Sequence, residues 1–166
     1  MAKQERDRAG VVIVRHGRLA LIERRRAGQH YFAVPGGGVE KGETVAEAAW
    51  REAEEELGVA VVLGSLRVAI NHREEDGTFQ QQWYFDATVS SDAIVVAGPE
   101  LHNHPSKGTY EAVWVPLGDL STIRVLPRAV ADLVAVNRGN WGDTVIEIDE
   151  RDDVWSPTNE RPRPTT

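Results

Sequence analysis

The stretch Gly37-GVEKGETVAEAAWREAEEELG-Val59 carries more structural information than any other part of the chain. It runs Gly37, five residues, Glu43, seven residues, then Arg51-Glu52-Ala53-Glu54-Glu55-Glu56-Leu57-Gly58-Val59. Residues three and four apart on a helix share a face, so a helix here puts Glu52, Glu55 and Glu56 on one stripe. Ala46, Ala49, Trp50, Ala53 and Leu57 form a second, apolar stripe suited to a core. Thr44 with Glu47 fits a capping box, which starts the helix directly after the glycine-rich loop. Gly58 stands where a left-handed residue ends a helix. The spacing predicts a helix over Val45–Leu57, with Glu47 and Arg51 paired along its side.

Three carboxylates on one face repel one another, and that cost calls for a neutralising partner. Hard oxygen ligands suit Mg²⁺ or Mn²⁺, and Mg²⁺ sites combine a few carboxylates with substrate phosphates and water. A Glu-rich helix by itself is ordinarily a solvated surface. Preceded by Pro35-Gly36-Gly37-Gly38 and closed by Gly58, it reads instead as a cation site facing a phosphate chain. Gly36, Gly37 and Gly38 let the backbone approach such a phosphate closely, as substrate-binding positions do.

These residues resemble the Nudix box of the MutT-like hydrolases. All nine defining positions of that signature are filled, counting Ala53 and Val59 as its two apolar ones. Phe32-Ala33-Val34-Pro35-Gly36-Gly37 is similar to the strand and turn that lead into the box, which spans about a seventh of the chain. The resemblance implies an α/β fold, a Nudix-type α/β/α sandwich with a mixed β-sheet. It implies an enzyme that hydrolyses a pyrophosphate linkage in a nucleoside diphosphate derivative or nucleoside triphosphate with Mg²⁺ or Mn²⁺. Glu52, Glu55 and Glu56 match the family's metal ligands and catalytic carboxylates, and the carbonyl of Gly37 matches a further ligand. On that pattern Glu55 or Glu56 binds the catalytic ion, while Glu52 binds a second ion or polarises the attacking water. Members differ in which carboxylate is the base. Glu43 and Arg51 match a pair that salt-bridges and orients the glutamates.

Relatives place a phosphate-contacting arginine after the second strand, where this chain has Arg24, Arg25 and Arg26. Strand side chains alternate, so the three cannot all point into one site; Arg24 and Arg25 are the candidates. Relatives also carry a carboxylate before the segment that here reads Trp114-Val115-Pro116-Leu117, which maps to Glu111, with Glu100 as the alternative. Trp83, Tyr84, Phe85 and Trp114 read as core aromatics before base-stacking ones. His102 and His104 read as an exposed loop before a metal pair.

A chain of 166 residues is expected to form one domain over residues 1–150, with a polar, Pro-rich tail over 151–166. The net charge of −7 argues against a general nucleic-acid-binding surface, so no nucleic-acid partner is expected. It permits a nucleotide whose charge bound cations offset. The absence of cysteine excludes disulfides, zinc-thiolate sites and thiol nucleophiles. No apolar run reaches membrane-spanning length and the polar N-terminus lacks a signal-peptide core, which points to a cytoplasmic protein with no membrane partner. The family's enzymes often dimerise through their sheets, so a homodimer fits the resemblance.

Hydrophobic alternation predicts a hairpin of Gly10–Val14 and Leu19–Glu23 about His16-Gly17, then a strand over Tyr31–Val34. Beyond the helix it predicts strands Val59–Leu63 and Leu66–Ile70 split by Gly64-Ser65, a long strand Thr78–Ser90 and another over Thr109–Val115. An irregular loop is expected over 92–107, and a second helix over Leu126–Asn137 with Pro127 in its first turn.

Markers of particular substrates are missing. ADP-ribose enzymes of the family often have a proline where this chain reads Glu74-Glu75-Asp76, and many dinucleoside polyphosphate enzymes have a tyrosine where none occurs before Tyr84. The asparagine of some oxidised-purine triphosphatases has no counterpart at Val125 or Leu126. Cleavage of RNA 5′-triphosphate ends needs a basic groove that the sequence does not advertise. A non-catalytic nucleotide-binding regulator of the same fold is the alternative function, and the intact box argues against it.

Overall fold

The computed structural model of the chain describes residues 4–94 and 108–151. Ten strands and two helices follow in the order β1 (Arg8–Val12), β2 (Val14–Arg15), β3 (Arg18–Arg26), β4 (Gln29–Ala33), β5 (Gly36–Gly38), α1 (Val45–Leu57), β6 (Val61–Arg73), β7 (Phe79–Val89), β8 (Thr109–Pro116), β9 (Val125–Leu126), α2 (Arg128–Asn137) and β10 (Ile146–Arg151). One sheet has the order β10-β6-β7-β1-β5, with β1 parallel to β7 and β10 parallel to β6. In the other, β4 and β8 flank β3 on opposite edges, β2 pairs with the start of β3, and β9 extends beyond β4.

Strand alternation divides the interior into two cores. Val11, Ala20, Ile22, Phe85 and Ala87 pack on one side with Ala48, Ala49, Ala53 and Leu57 of α1. Val12, Leu19, Leu21, Tyr84 and Val125 pack on the other with Val130, Ala131 and Val134 of α2. Neighbouring residues of the same strand thus serve opposite helices, and the mixed strands form the middle layer of an α/β/α sandwich, as expected. The buried Arg128 seats α2 by donating to the Leu120 carbonyl at 2.7 Å and pairing with Asp132 at 2.8 Å.

Helix α1 has the expected bounds. The Thr44 hydroxyl accepts the Glu47 amide at 3.1 Å and the Glu47 carboxylate accepts the Thr44 amide at 2.9 Å. Gly58 closes the helix with φ 64°. Because Glu47 is committed to that cap, it is not the partner of Arg51, which turns to Glu43 instead.

Four other features differ from expectation. The stretch around Gly64-Ser65 does not separate two strands; β6 continues through it as a bulge, with register shifts between Leu63, Leu66 and Val68. Asp86 of β7 fills the irregularity by accepting from the Ser65 amide at 2.6 Å and the Arg67 guanidinium at 3.1 Å. Gly36–Gly38 is a short strand antiparallel to β1, not a free loop. Pro127 caps α2 from outside, so the helix begins at Arg128. Residues 146–151 add an edge strand, tied to β6 through Asn71–Asp149 and His72–Glu150 contacts at 3.1 Å each. The expected loop positions Glu100, His102 and His104, and the tail beyond Arg151, lie outside the described residues. Among the described residues no helix is long and apolar enough to cross a membrane.

The close approach of β1 to the Pro35 turn depends on Gly10. A Cβ there would overlap the Pro35 carbonyl oxygen, which already accepts the Val11 amide at 2.9 Å, and would press on the Tyr84 ring. Both neighbours are fixed, so Gly10→Ala is expected to cost about 1–3 kcal/mol, as overpacked cores do. Urea denaturation checks this; a variant within about 0.5 kcal/mol of the parent protein would show that the turn yields freely.

Candidate active site

The site assembles where the glycine strand β5 lies against the N-terminal end of β1 on one side and against α1 on the other. Gly37 faces the helix with no side chain, and a Cβ there would fall inside the Glu52 carboxyl group. Gly38 likewise leaves room for the Arg6 guanidinium, which occupies the space a Cβ would take. The Gly36 amide donates to Glu56 at 2.8 Å, and its carbonyl accepts from Arg8 at 3.3 Å. Backbone and side chains therefore alternate in charge across a few ångströms: carboxylates from α1, bare peptide groups, then guanidiniums from the N-terminal segment.

Arg51 is the hub beneath this layer. It grips Glu43 through two hydrogen bonds of 2.7 and 2.9 Å, Glu52 at 2.8 Å and the Gly38 carbonyl at 3.1 Å, and it lies 3.5 Å from Glu55. Such a fork of planar donors suits several carboxylates at once, in a way lysine does not. The hydrogen bonds from Arg51, helped by the Glu40 backbone, hold the Glu43 carboxyl near pH 2, well below its ordinary 4.5. The same contacts push the Arg51 guanidinium upward.

A cavity of about 240 Å³ opens over this layer. Glu52, Glu56 and Gly36–Gly38 line it together with Arg6, Arg8 and Arg24, and Ile22, Ala33 and Tyr110 complete the lining. Glu55 is not among the lining residues, and its side chain is 40% exposed beside Arg51. Among the described residues no three His, Asp or Glu side chains converge closely enough to hold an ion by themselves. Glu52 and Glu56 still fit an Mg²⁺ site, because that ion takes one or two carboxylates and completes its shell with phosphate oxygens and water. The donor set is all oxygen, and the arginines lining the same cavity supply a place for phosphate.

A family model described as the NUDIX domain matches residues 4–135. The chain belongs to the NUDIX family. It is an enzyme, a Nudix hydrolase of pyrophosphate linkages. Sequence relatives include the RNA pyrophosphohydrolases of Shewanella sp. strain MR-7 and Shewanella oneidensis, each 28% identical, with 68% of this chain and 72% of the relative covered. Among solved structures, the MutT NUDIX hydrolase of Burkholderia pseudomallei matches with 29% identity and a TM-score of 0.61, covering 78% of this chain and 95% of that one. A NUDIX hydrolase from Nitrosomonas europaea shares the fold at a TM-score of 0.64 and 15% identity, covering 91% of this chain and 81% of that one.

Within this Nudix fold the structure sorts the remaining candidates by strand alternation. Arg24 lines the cavity, whereas Arg25 lies on the opposite face with Glu23, 3.1 Å away. Glu111 sits directly across from Glu23 on β8 and is exposed, so it shares that outer face and does not reach the cavity. Tyr84 and Phe85 are buried, and Trp83 and Trp114 pack on the core around α1, as the core reading had it. Burial pushes the Tyr84 phenol up to about 12. Arg6, Arg8 and Tyr110 were not anticipated. The i,i+2 spacing of Arg6 and Arg8 ahead of an apolar strand was the available signal, since it puts both on one face if the strand extends.

Because the fold lowers the Glu43 carboxyl from 4.5 to about 2, it favours the ionised form. The stabilisation is complete above about pH 4.5 and fades as pH falls toward 2. Glu43→Gln should therefore lower the urea midpoint at neutral pH and flatten its dependence between those two values. Equal acid limbs for the variant and the parent protein would rule out this pair as a source of acid sensitivity.

Proposed function

We propose that the chain hydrolyses a pyrophosphate linkage in a nucleoside triphosphate or nucleoside diphosphate derivative, using Mg²⁺ or Mn²⁺ held by Glu52, Glu55, Glu56 and the Gly37 carbonyl. The observation that carries this reading is that both charges line one small cavity. Glu52 and Glu56 suit a cation there, and Arg6, Arg8 and Arg24 suit an anion. A diphosphate with its cation satisfies both sets of groups. When bound, the cation neutralises charge on the phosphate oxygens and acidifies the attacking water.

The chain's own residues supply position and charge. Arg6, Arg8 and Arg24 bind phosphate oxygens and stabilise the negative charge that grows on them as the linkage breaks. Arg51 fixes one oxygen of Glu52 at 2.8 Å, and the Gly36 amide fixes one oxygen of Glu56 at 2.8 Å. Each carboxylate is thereby oriented toward the cavity without rotamer searching. Glu52 or Glu56 takes the proton of the attacking water, and no covalent intermediate with the protein is needed. Gly37 and Gly38 keep the floor flat enough for the phosphates to meet both sets of groups. Glu55, at the rim beside Arg51, adds its carboxylate to the cation's surroundings. RNA, the substrate in the name of the Shewanella relatives, presents the same linkage at a triphosphorylated 5′ end.

The test incubates the protein with Mg²⁺ or Mn²⁺ and a panel of nucleoside triphosphates, oxidised triphosphates, nucleotide sugars, ADP-ribose and dinucleoside polyphosphates. Products are read by mass spectrometry. Cleavage of one class that stops on chelation is expected. Glu52→Gln, Glu55→Gln and Glu56→Gln should each lower kcat by roughly 100-fold or more, beyond what loss of an outer partner costs. Variants that keep most of the rate would remove these residues from the site. Nucleotide binding with no turnover on any substrate would replace the enzyme reading with a binding protein.

A further inference from the structure

Arg8 stands at the start of β1, where the parallel register with β7 sets it against Gln82 and sets Gly10 against Tyr84. Side chains two apart share a strand face, so Arg8, Gly10 and Val12 lie on one face of β1. Val12 and the Tyr84 ring belong to the core beneath α2. That face is apolar at Val12 and charged at Arg8, and Tyr84 stands where it changes. Its ring is buried, 3% exposed, in space that Gly10 leaves open; a Cβ at Gly10 would lie 2.9 Å from it. Its hydroxyl donates to Gln82 at 3.0 Å and accepts from the Arg8 guanidinium.

The hydroxyl is itself held in place. The Gln82 amide donates to Gln80 at 2.9 Å, and the Gln80 amide donates to the Arg6 carbonyl at 2.8 Å. On the backbone side, the Glu5 amide donates to the Phe79 carbonyl at 2.8 Å, and the Gln81 amide donates to Asp7 at 3.1 Å. The segment that carries Arg6 and Arg8 is thus fastened along β7. Arg8 has a second hold at the Gly36 carbonyl, 3.3 Å away, and it lines the cavity. Two fixed contacts set the plane of a guanidinium, and further donors of the same rigid fork can then meet a phosphate. A buried phenol is satisfied by one partner, which Gln82 supplies. The contact with Arg8 exceeds what burial of Tyr84 requires.

We propose that Tyr84 is a positioning residue for the hydrolysis: its hydroxyl, anchored by Gln82, holds the Arg8 guanidinium in the orientation that binds the diphosphate. This rests on the proposed function, in which Arg8 binds phosphate oxygens. Without the hydroxyl, Arg8 keeps its charge and its place in β1 but turns about the single contact to Gly36. It must then be ordered anew at each turnover, which is the cost that a preorganised donor avoids.

The test is a double-mutant cycle of Tyr84→Phe and Arg8→Gln, with kcat/KM measured on the substrate that the parent protein cleaves fastest. Tyr84→Phe removes one oxygen and keeps the ring. It should lower kcat/KM roughly tenfold, the scale of one hydrogen bond to a charged group. In the Arg8→Gln background the same change should cost less than about twofold, because the group it positions is gone. A merely structural hydroxyl would cost the same in both backgrounds, and that result overturns the proposal, as does a Tyr84→Phe rate equal to the parent's. If Tyr84→Phe does not fold, Gln82→Met, which removes the anchor of the hydroxyl, takes its place in the cycle. If the parent protein cleaves nothing, the hydrolysis reading fails on its own. In that case, or if Arg8→Gln has no measurable rate, the Arg8 Nε–H resonance in the ¹⁵N–¹H spectrum decides, identified by its loss in Arg8→Gln. A sharp signal in the parent protein that broadens in Tyr84→Phe supports the positioning, and an unchanged signal overturns it.

Discussion

The Arg51 guanidinium is the interaction on which the rest of the site depends. It joins three pieces of chain: the turn through Glu43, the helix face of Glu52, and the glycine strand at the Gly38 carbonyl. Four carboxylates around one guanidinium, those of Glu40, Glu43, Glu52 and Glu55, look excessive, and in water such pairs contribute little. Here the side chains of Arg51, Glu43 and Glu52 are 23%, 14% and 14% exposed, so losing one partner would leave charge half-withdrawn from solvent. The hub also solves the repulsion inherent in the acidic helix. By drawing Glu43 and Glu52 to itself and lying near Glu55, it keeps the helix stable whether or not a cation is present.

A second constraint acts through what is missing. β5 consists of three glycines, and each absent side chain makes room for something specific: the β1 backbone at Gly36, the Glu52 carboxyl at Gly37, the Arg6 guanidinium at Gly38. Strand geometry would turn alternate residues to opposite faces, and only glycine permits both faces to be approached so closely. The proximity of the Glu52 carboxylate and the Arg6 guanidinium follows from this, because a side chain at Gly37 or Gly38 would displace one or the other.

Features set by local chemistry were legible in the sequence, and features set by distant pairing were not. The bounds of α1 could be read because its cap, Thr44 with Glu47, and its stop, Gly58, lie within the helix's own neighbourhood. The Glu43–Arg51 pair was readable only through family resemblance, since eight residues and a turn separate the partners. The glycine run could not show that it would be a strand, because its partner β1 lies about thirty residues away. β10 was hidden for the same reason, being parallel to a strand more than seventy residues earlier. Arg6 and Arg8 looked like part of a polar terminus, and their role appears only when β1 is seen beside β5. Alternation meant only that Arg24, Arg25 and Arg26 could not all face the site, and placing Arg24 at the cavity required the register with β4 and β8.

Net charge is a global quantity, and a site is governed by the charges near it. A total of −7 discouraged any nucleic-acid partner, because general polyanion binding needs a basic surface. Screening confines each exposed charge to about 8 Å at physiological ionic strength, so acidic residues on the outer faces barely reach the cavity. Within that radius the balance is set by Arg6, Arg8 and Arg24 beside Glu52 and Glu56.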